Sequence, residues 1–297
     1  MDEKLKKRGG DRKDGYLVRD LDVLHVFMPF LMPNRADNEA FIRELIDITA
    51  IQAYIDKKNG ENPQYRYTLM HVILAALGRT VAERPLMNRF IAGYRLYDRK
   101  KISFSFVAKK QFSDDGAESL VVMDYDKDSE LGAIDVIHDT ACKRINAVRH
   151  EGADDVITGP MTVLAKLPRP VLKFVMWVLR TLDYYGKAPD ELTKGDPDYT
   201  SVFVTNLGSI GLNAGYHHLA NWGTNSVFVV IGEKHKHPYY DDEGNVTMKD
   251  ALELGITLDE RIGDGYYFAR TIHLLKYYLA HPELLDRPAK EDLKLEY

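Results

Sequence analysis

The chain has 297 residues, 45% of them hydrophobic and 29% charged, with a formal net charge of -5. That composition gives ample apolar material for a soluble core and no general pull toward nucleic acid. A lone cysteine, Cys142, excludes an intramolecular disulfide and a cysteine-built zinc or iron–sulfur site, and no run reaches the roughly 18 apolar residues of a spanning helix.

In chain order, residues 1–15 are charged with no apolar run behind them and read as a flexible, solvated tail. No secretory signal is visible, and the expected location is cytoplasmic. Phe41, Leu45, Ile48 and Ile51 recur at helical spacing and predict a helix over 38–57, stopped by Asn59, Gly60 and Pro63. A second helix is expected over 68–83, with Met70, Ile73, Leu74, Leu77 and Val81 on one side and Pro85 at its end. Strand-like runs follow at 90–97, 102–107 and 120–123. A third helix is expected over 130–149, carrying Ile134, Ile137, Ala141 and Ile145.

Residues 160–185 are unusually apolar and aromatic, with Lys166, Arg169, Lys173 and Arg180 interspersed and Pro168 and Pro170 splitting or starting a helix. Two readings stand: a helix buried against the body or a neighbouring subunit, or a surface helix in contact with a membrane, a lipid or an acyl chain. Strands are then expected at 201–205, 226–231 and 254–258, and a last helix begins near Gly265. Helices against a mixed sheet give an α+β, two-layer sandwich. With no linker and no internal repeat, 16–297 reads as a single domain.

Two segments carry the chemistry. Val204–Thr205–Asn206–Leu207–Gly208 ends one predicted strand, and Thr257–Leu258–Asp259–Glu260–Arg261–Ile262–Gly263–Asp264–Gly265 spans a strand-to-helix junction. In this order, with Glu83–Arg84–Pro85–Leu86–Met87–Asn88 ahead of the strands, the chain resembles the catalytic domain of dihydrolipoyl acyltransferases. These are the acyltransferase components of 2-oxoacid dehydrogenase complexes, and chloramphenicol acetyltransferases share their fold. The likeness spans about 20–285, interrupted by an insertion at 155–198. It implies a homotrimer with the active channel between subunits, and coenzyme A or a carrier thiol as partner of a small-molecule acyl thioester.

In that family the histidine of His-x-x-x-Asp-Gly deprotonates the thiol, and a serine or threonine hydroxyl steadies the oxyanion. Thr205 matches the hydroxyl, Asp264 and Gly265 match the Asp-Gly pair, and Glu260 occupies the histidine position. Asn206 and Gly208 fall where the thioester's carrier would bind. The motif aspartate pairs with an arginine in the family; Arg19 and Arg35 are the candidates here, with Arg19 the first choice. A carboxylate near a pKa of about 4.3 is a weaker base toward a thiol near about 8.5 than an imidazole near about 6.5. The resemblance therefore leaves two functions open: an acyltransferase with an unusual base, or a catalytically inactive trimeric binding or assembly protein.

Among other residues, His217 and His218 are adjacent after the Thr205 strand; they either pack or replace the missing imidazole, and His218 is the candidate. His235 and His237 share a strand face, but no third ligand is evident and lysines flank them, so no metal is expected. His71 reads as a core histidine, and His25 as a core or interface one. No lipoyl-lysine hairpin lies near the start, so no lipoyl attachment is expected in this chain.

Overall fold

The computed structural model describes residues 8–109, 118–150 and 164–295. In chain order the strands and helices are β1 (Gly15–Leu17), α1 (Val23–Leu31), β2 (Glu39–Asp47), α2 (Thr49–Gly60), α3 (Leu69–Glu83), β3 (Arg89–Ala92) and β4 (Arg95–Arg99). There follow β5 (Ile102–Lys109), β6 (Glu118–Tyr125), α4 (Ala133–His150), α5 (Arg169–Tyr184), α6 (Asp190–Thr193), β7 (Val202–Asn206), β8 (Val227–Ile231), β9 (His235–Tyr240), β10 (Val246–Asp259) and α7 (Gly265–Ala280).

The main sheet runs β2-β10-β8-β7-β5-β6, with β9 on the free half of β10, and a small sheet runs β1-β4-β3. Strands β5, β7 and β8 are mutually parallel and the other pairings antiparallel, so the sheet is mixed. Helices α2, α3, α4 and α7 pack their apolar residues with one face of this sheet. All five residues of β8 are buried. Val227, Val229 and Ile231 face the helices, while Phe228 and Val230 join Phe203, Leu207 and Leu219 under the loop that covers the opposite face. The result is the expected α+β, two-layer arrangement.

Helix α3 forms as expected. Thr68 and His71 make a reciprocal capping box at its start, and eleven of its fifteen residues are buried. The helix expected over 38–57 is instead strand β2 followed by α2. The same residues also alternate: Ala40, Ile42 and Ile46 turn into the core while Phe41 and Arg43 face out. Pairing with β10 over nine residues decides between the two periods. The strand expected over 90–97 is a hairpin, because Gly93 (φ 57°) and Tyr94 (φ 59°) make a tight turn. Tyr94, unusual in that conformation, is held by stacking on Phe30 at 5.0 Å and by Tyr184.

The tail expected over 1–15 is tied down from residue 8 onward. Arg12 is buried, donates to both carboxylate oxygens of Asp14 and reaches Asp183 at 2.9 Å; residues 1–7 lie outside the described residues. The segment expected at 155–198 contributes α5 and α6, and residues 151–163 lie outside the described residues. Contact of 160–185 with a membrane or lipid is corrected: among the described residues no helix is long and apolar enough to cross a membrane. Helix α5 has 16 residues against the roughly 20 required, with Lys173, Arg180 and Asp183 among them. Nor is α5 buried against the body, since none of its residues is buried and Phe174 and Trp177 are exposed.

Helix α1 is capped by the Asp22 side chain and is apolar nearly all round. Val23, Leu24, Val26, Phe27, Phe30 and Leu31 are exposed on it. Together they form an apolar surface on one short helix.

Candidate active site

Strand β7 ends at Thr205–Asn206. Thr205 pairs with Val230 and lies on the same face as Phe203, opposite the helices. The Asn206 side chain accepts from Ser209 N at 3.2 Å, and Ser209 Oγ donates back to Asn206 O at 2.7 Å, closing a short turn. Gly208 is fixed by close packing. A Cβ there would lie 2.8 Å from the Gly232 carbonyl carbon. Both residues expected to bind the carrier thus also shape the turn after Thr205.

Glu260 opens the turn after β10. Its N–H donates to Asn38 O at 2.9 Å, and its side chain is exposed. The residues on either side are the reverse. Asp259 is fully buried and accepts from Arg261 Nε at 2.8 Å and Nη2 at 2.7 Å, with Arg35 Nε 3.6 Å away. Arg261 Nη1 also donates to Met32 O at 2.9 Å, tying the turn to the end of α1. Arg35 donates to the carbonyls of Ile91, Ala220 and Gly223. Burial pulls the Arg35 guanidinium below its ordinary range, and Asp259 opposes that shift. This buried latch holds the backbone that presents Glu260.

Asp264 and Gly265 start α7, where the Asp264 carboxylate accepts from Tyr267 N at 2.7 Å. Asp264 is exposed, whereas Arg19 donates to Gly9 O and to Asp11. The pairing expected between Arg19 and Asp264 is absent within the chain, and Arg35, the second choice, goes to Asp259. Asp259 was the missed residue. An aspartate and an arginine flanking Glu260 at i−1 and i+1 were its signal in the sequence.

Register places the two candidate groups apart. Asp259 N donates to Ser226 O, four residues along β8 from Val230, the partner of Thr205. At about 3.3 Å per residue and about 4.8 Å per strand across β8, Thr205 and Asp259 are roughly 16 Å apart within one chain. His218 lies nearer Glu260's end. The next residue, Leu219, donates its N–H to the Glu39 carboxylate, and Glu39 pairs with Asp259. His218 is exposed and stacks on His217, which stacks on Phe228 at 4.2 Å. Asp198 feels the charge of His218 and Arg35, but burial and neighbouring Asp196 push its carboxyl up to about 6. Among the described residues no group of three His, Cys, Asp or Glu could hold a metal ion.

The family model of the 2-oxoacid dehydrogenases acyltransferase catalytic domain matches residues 187–286, about a third of the chain and the part that holds both segments. No curated protein matches the sequence. Solved structures with the same fold include a probable dihydrolipoamide acetyltransferase from Listeria monocytogenes. It is 15% identical with a TM-score of 0.57, over 90% of this chain and 95% of that one. The dihydrolipoamide acetyltransferase of Azotobacter vinelandii is 16% identical with a TM-score of 0.54, over 90% and 93%. A chloramphenicol acetyltransferase is 12% identical with a TM-score of 0.53, over 89% and 99%. The chain has the fold of these acyltransferases.

Proposed function

We propose that the chain is an acyltransferase that moves an acyl group between a thioester, of coenzyme A or a carrier thiol, and an acceptor. It acts as a homotrimer whose sites lie between subunits. The observation that carries this reading is the separation of Thr205 from the Glu260 turn by roughly 16 Å within one chain. Groups at opposite ends of a sheet meet only when a second copy brings its Thr205 to the first copy's Glu260. The exposed apolar face of α1, joined to the Glu260 turn through Arg261 and Met32, is suited to that contact.

In this site Glu260 takes the thiol proton, the thiolate attacks the acyl carbonyl, and the Thr205 hydroxyl donates to the oxyanion. Collapse of the tetrahedral species expels the original thiolate, which takes up a proton. The main cluster of the described core holds residues from Ile46 to Ala289, which supports reading 16–297 as a single domain. The buried Cys142, with no second cysteine, suits a reducing, cytoplasmic setting.

The test is thioester-dependent acyl transfer from acetyl-coenzyme A to a dithiol, read as free thiol release, for the native chain, Glu260→His and Thr205→Ala. Restoring an imidazole base raises the rate by about 10² or more if the site is competent, since a matched base contributes about 10²–10⁴, and Thr205→Ala lowers it. Transfer by none of the three, with sedimentation still giving a trimer, establishes the inactive assembly protein instead. A monomer in sedimentation overturns the shared-site reading.

A further inference from the structure

A sizeable cavity lies away from the candidate active site. It is a cleft of about 770 Å³ beside the edge strand β6, floored by Ser103 of β5 and by Tyr199 and Thr200 ahead of β7, and walled by α4, the residue 13–14 turn and the α6 segment. Thr205 and Glu260 do not line it. Its size suits a ligand as large as a nucleotide.

The charge around it is uneven. Lys13, Arg99, Lys100, Lys101, Arg144 and Lys194 line the cleft against four carboxylates. Those carboxylates are already engaged. Asp14 holds Arg12, Asp124 holds Lys101, Asp190 holds Lys13 and Lys194, and Asp196 accepts from Trp222 Nε1 at 2.7 Å. Arg144, exposed on α4, has no partner among the described residues, and Lys100 Nζ donates to the backbone carbonyls of Arg12 and Lys13, lies over the ring of Tyr16 and feels the charge of Asp11. Arg99 donates to Tyr199 O, Thr224 O and Thr224 Oγ1, but its buried Nε has no partner. Burial draws its guanidinium down to about 10 against the opposing charge of Asp14.

We propose that this cleft binds a small phosphate-bearing molecule through Arg144, Lys100 and Arg99. The cations stand on separate walls, so an extended diphosphate or oligophosphate neutralises several at once, which one carboxylate cannot. Lysines acting as point charges suit phosphate oxygens equally well. The site is independent of the proposed acyl transfer.

Inorganic pyrophosphate, titrated calorimetrically into the whole chain at fixed ionic strength without divalent metal, is the probe. The native chain is expected to bind with a Kd below about 1 mM, equivalent to about 4 kcal/mol. Arg144→Glu is expected to weaken binding at least tenfold, about 1.4 kcal/mol, and Arg144→Gln by less. Among the described residues Arg144 forms no hydrogen bond or ion pair that either change breaks. Arg180→Glu makes the same charge change on α5, away from the cleft, and is expected to leave binding within about twofold. No heat up to about 1 mM, or equal losses for Arg144→Glu and Arg180→Glu, overturns the proposal.

Discussion

Asp259→Asn tests the latch beneath Glu260. The change keeps the volume of the side chain and removes one charge from a site where Asp259 is 0% exposed, Arg261 1% and Arg35 5%. Removing one partner of a buried ion pair costs about 3–5 kcal/mol, because the remaining cations keep their desolvation penalty without its compensation. Two arginines are left here, and Arg35 is already held below its ordinary range by burial. With an unfolding entropy of about 2.1 cal/mol/K per residue, the loss lowers the melting temperature of 297 residues by about 5–8 °C. Thermal melts followed by circular dichroism measure it, and urea unfolding checks that the slope is unchanged. A fall below about 1 °C refutes the reasoning, since it means solvent or backbone carbonyls already neutralise both arginines.

Acid should destabilise the chain partly through His71, whose imidazole is lowered to about 4 chiefly by burial and then by His138. The unfolded chain takes up this proton near about 6.5 and the folded one does not, so stability falls as pH drops from 6.5 through 4. His71→Gln should flatten that slope in melts over the same window. Asp198 has the opposite sign. Its carboxyl is raised to about 6, so its contribution is lost as pH rises from about 4 through about 6, and Asp198→Asn should stabilise at pH 7.5 and change little at pH 4. Gly208→Ala drives a methyl against the Gly232 backbone; a loss of about 1–3 kcal/mol in denaturant midpoints is expected, and an unchanged midpoint means the turn after Thr205 shifts freely.

Local signals marked α3, α4, β7, β8 and α7, where one period and one capping or breaking residue agree. Strand β2 failed because its apolar residues satisfy two periods at once, and only its partner β10, some two hundred residues on, selects one. Helix α1 went unseen because a helix apolar nearly all round has no period to detect, and Pro29 inside it argues against a helix. At the proposed site, Thr205 and Glu260 are expected from the order of two short segments. The arginine was not, because a guanidinium can pair with any carboxylate the fold delivers, and the sequence does not show that Asp264 caps a helix with one of its oxygens. The cationic cleft was beyond reach for the same reason, since its walls come from residues 13 to 200.

The strand order has a consequence for synthesis. The first-made strands, β2 at one edge and β5–β6 at the other, are never neighbours; β7, β8 and β10 stand between them. Phe104 waits for Val202, and Ala40 for Leu258. A ribosome must therefore deliver nearly the whole chain before the sheet closes, and until then β2 and β5 offer bare hydrogen-bonding edges to any other nascent chain. A chain truncated before β10 leaves β2 and β8 without the strand that joins them, and such a product suits chaperones or proteases.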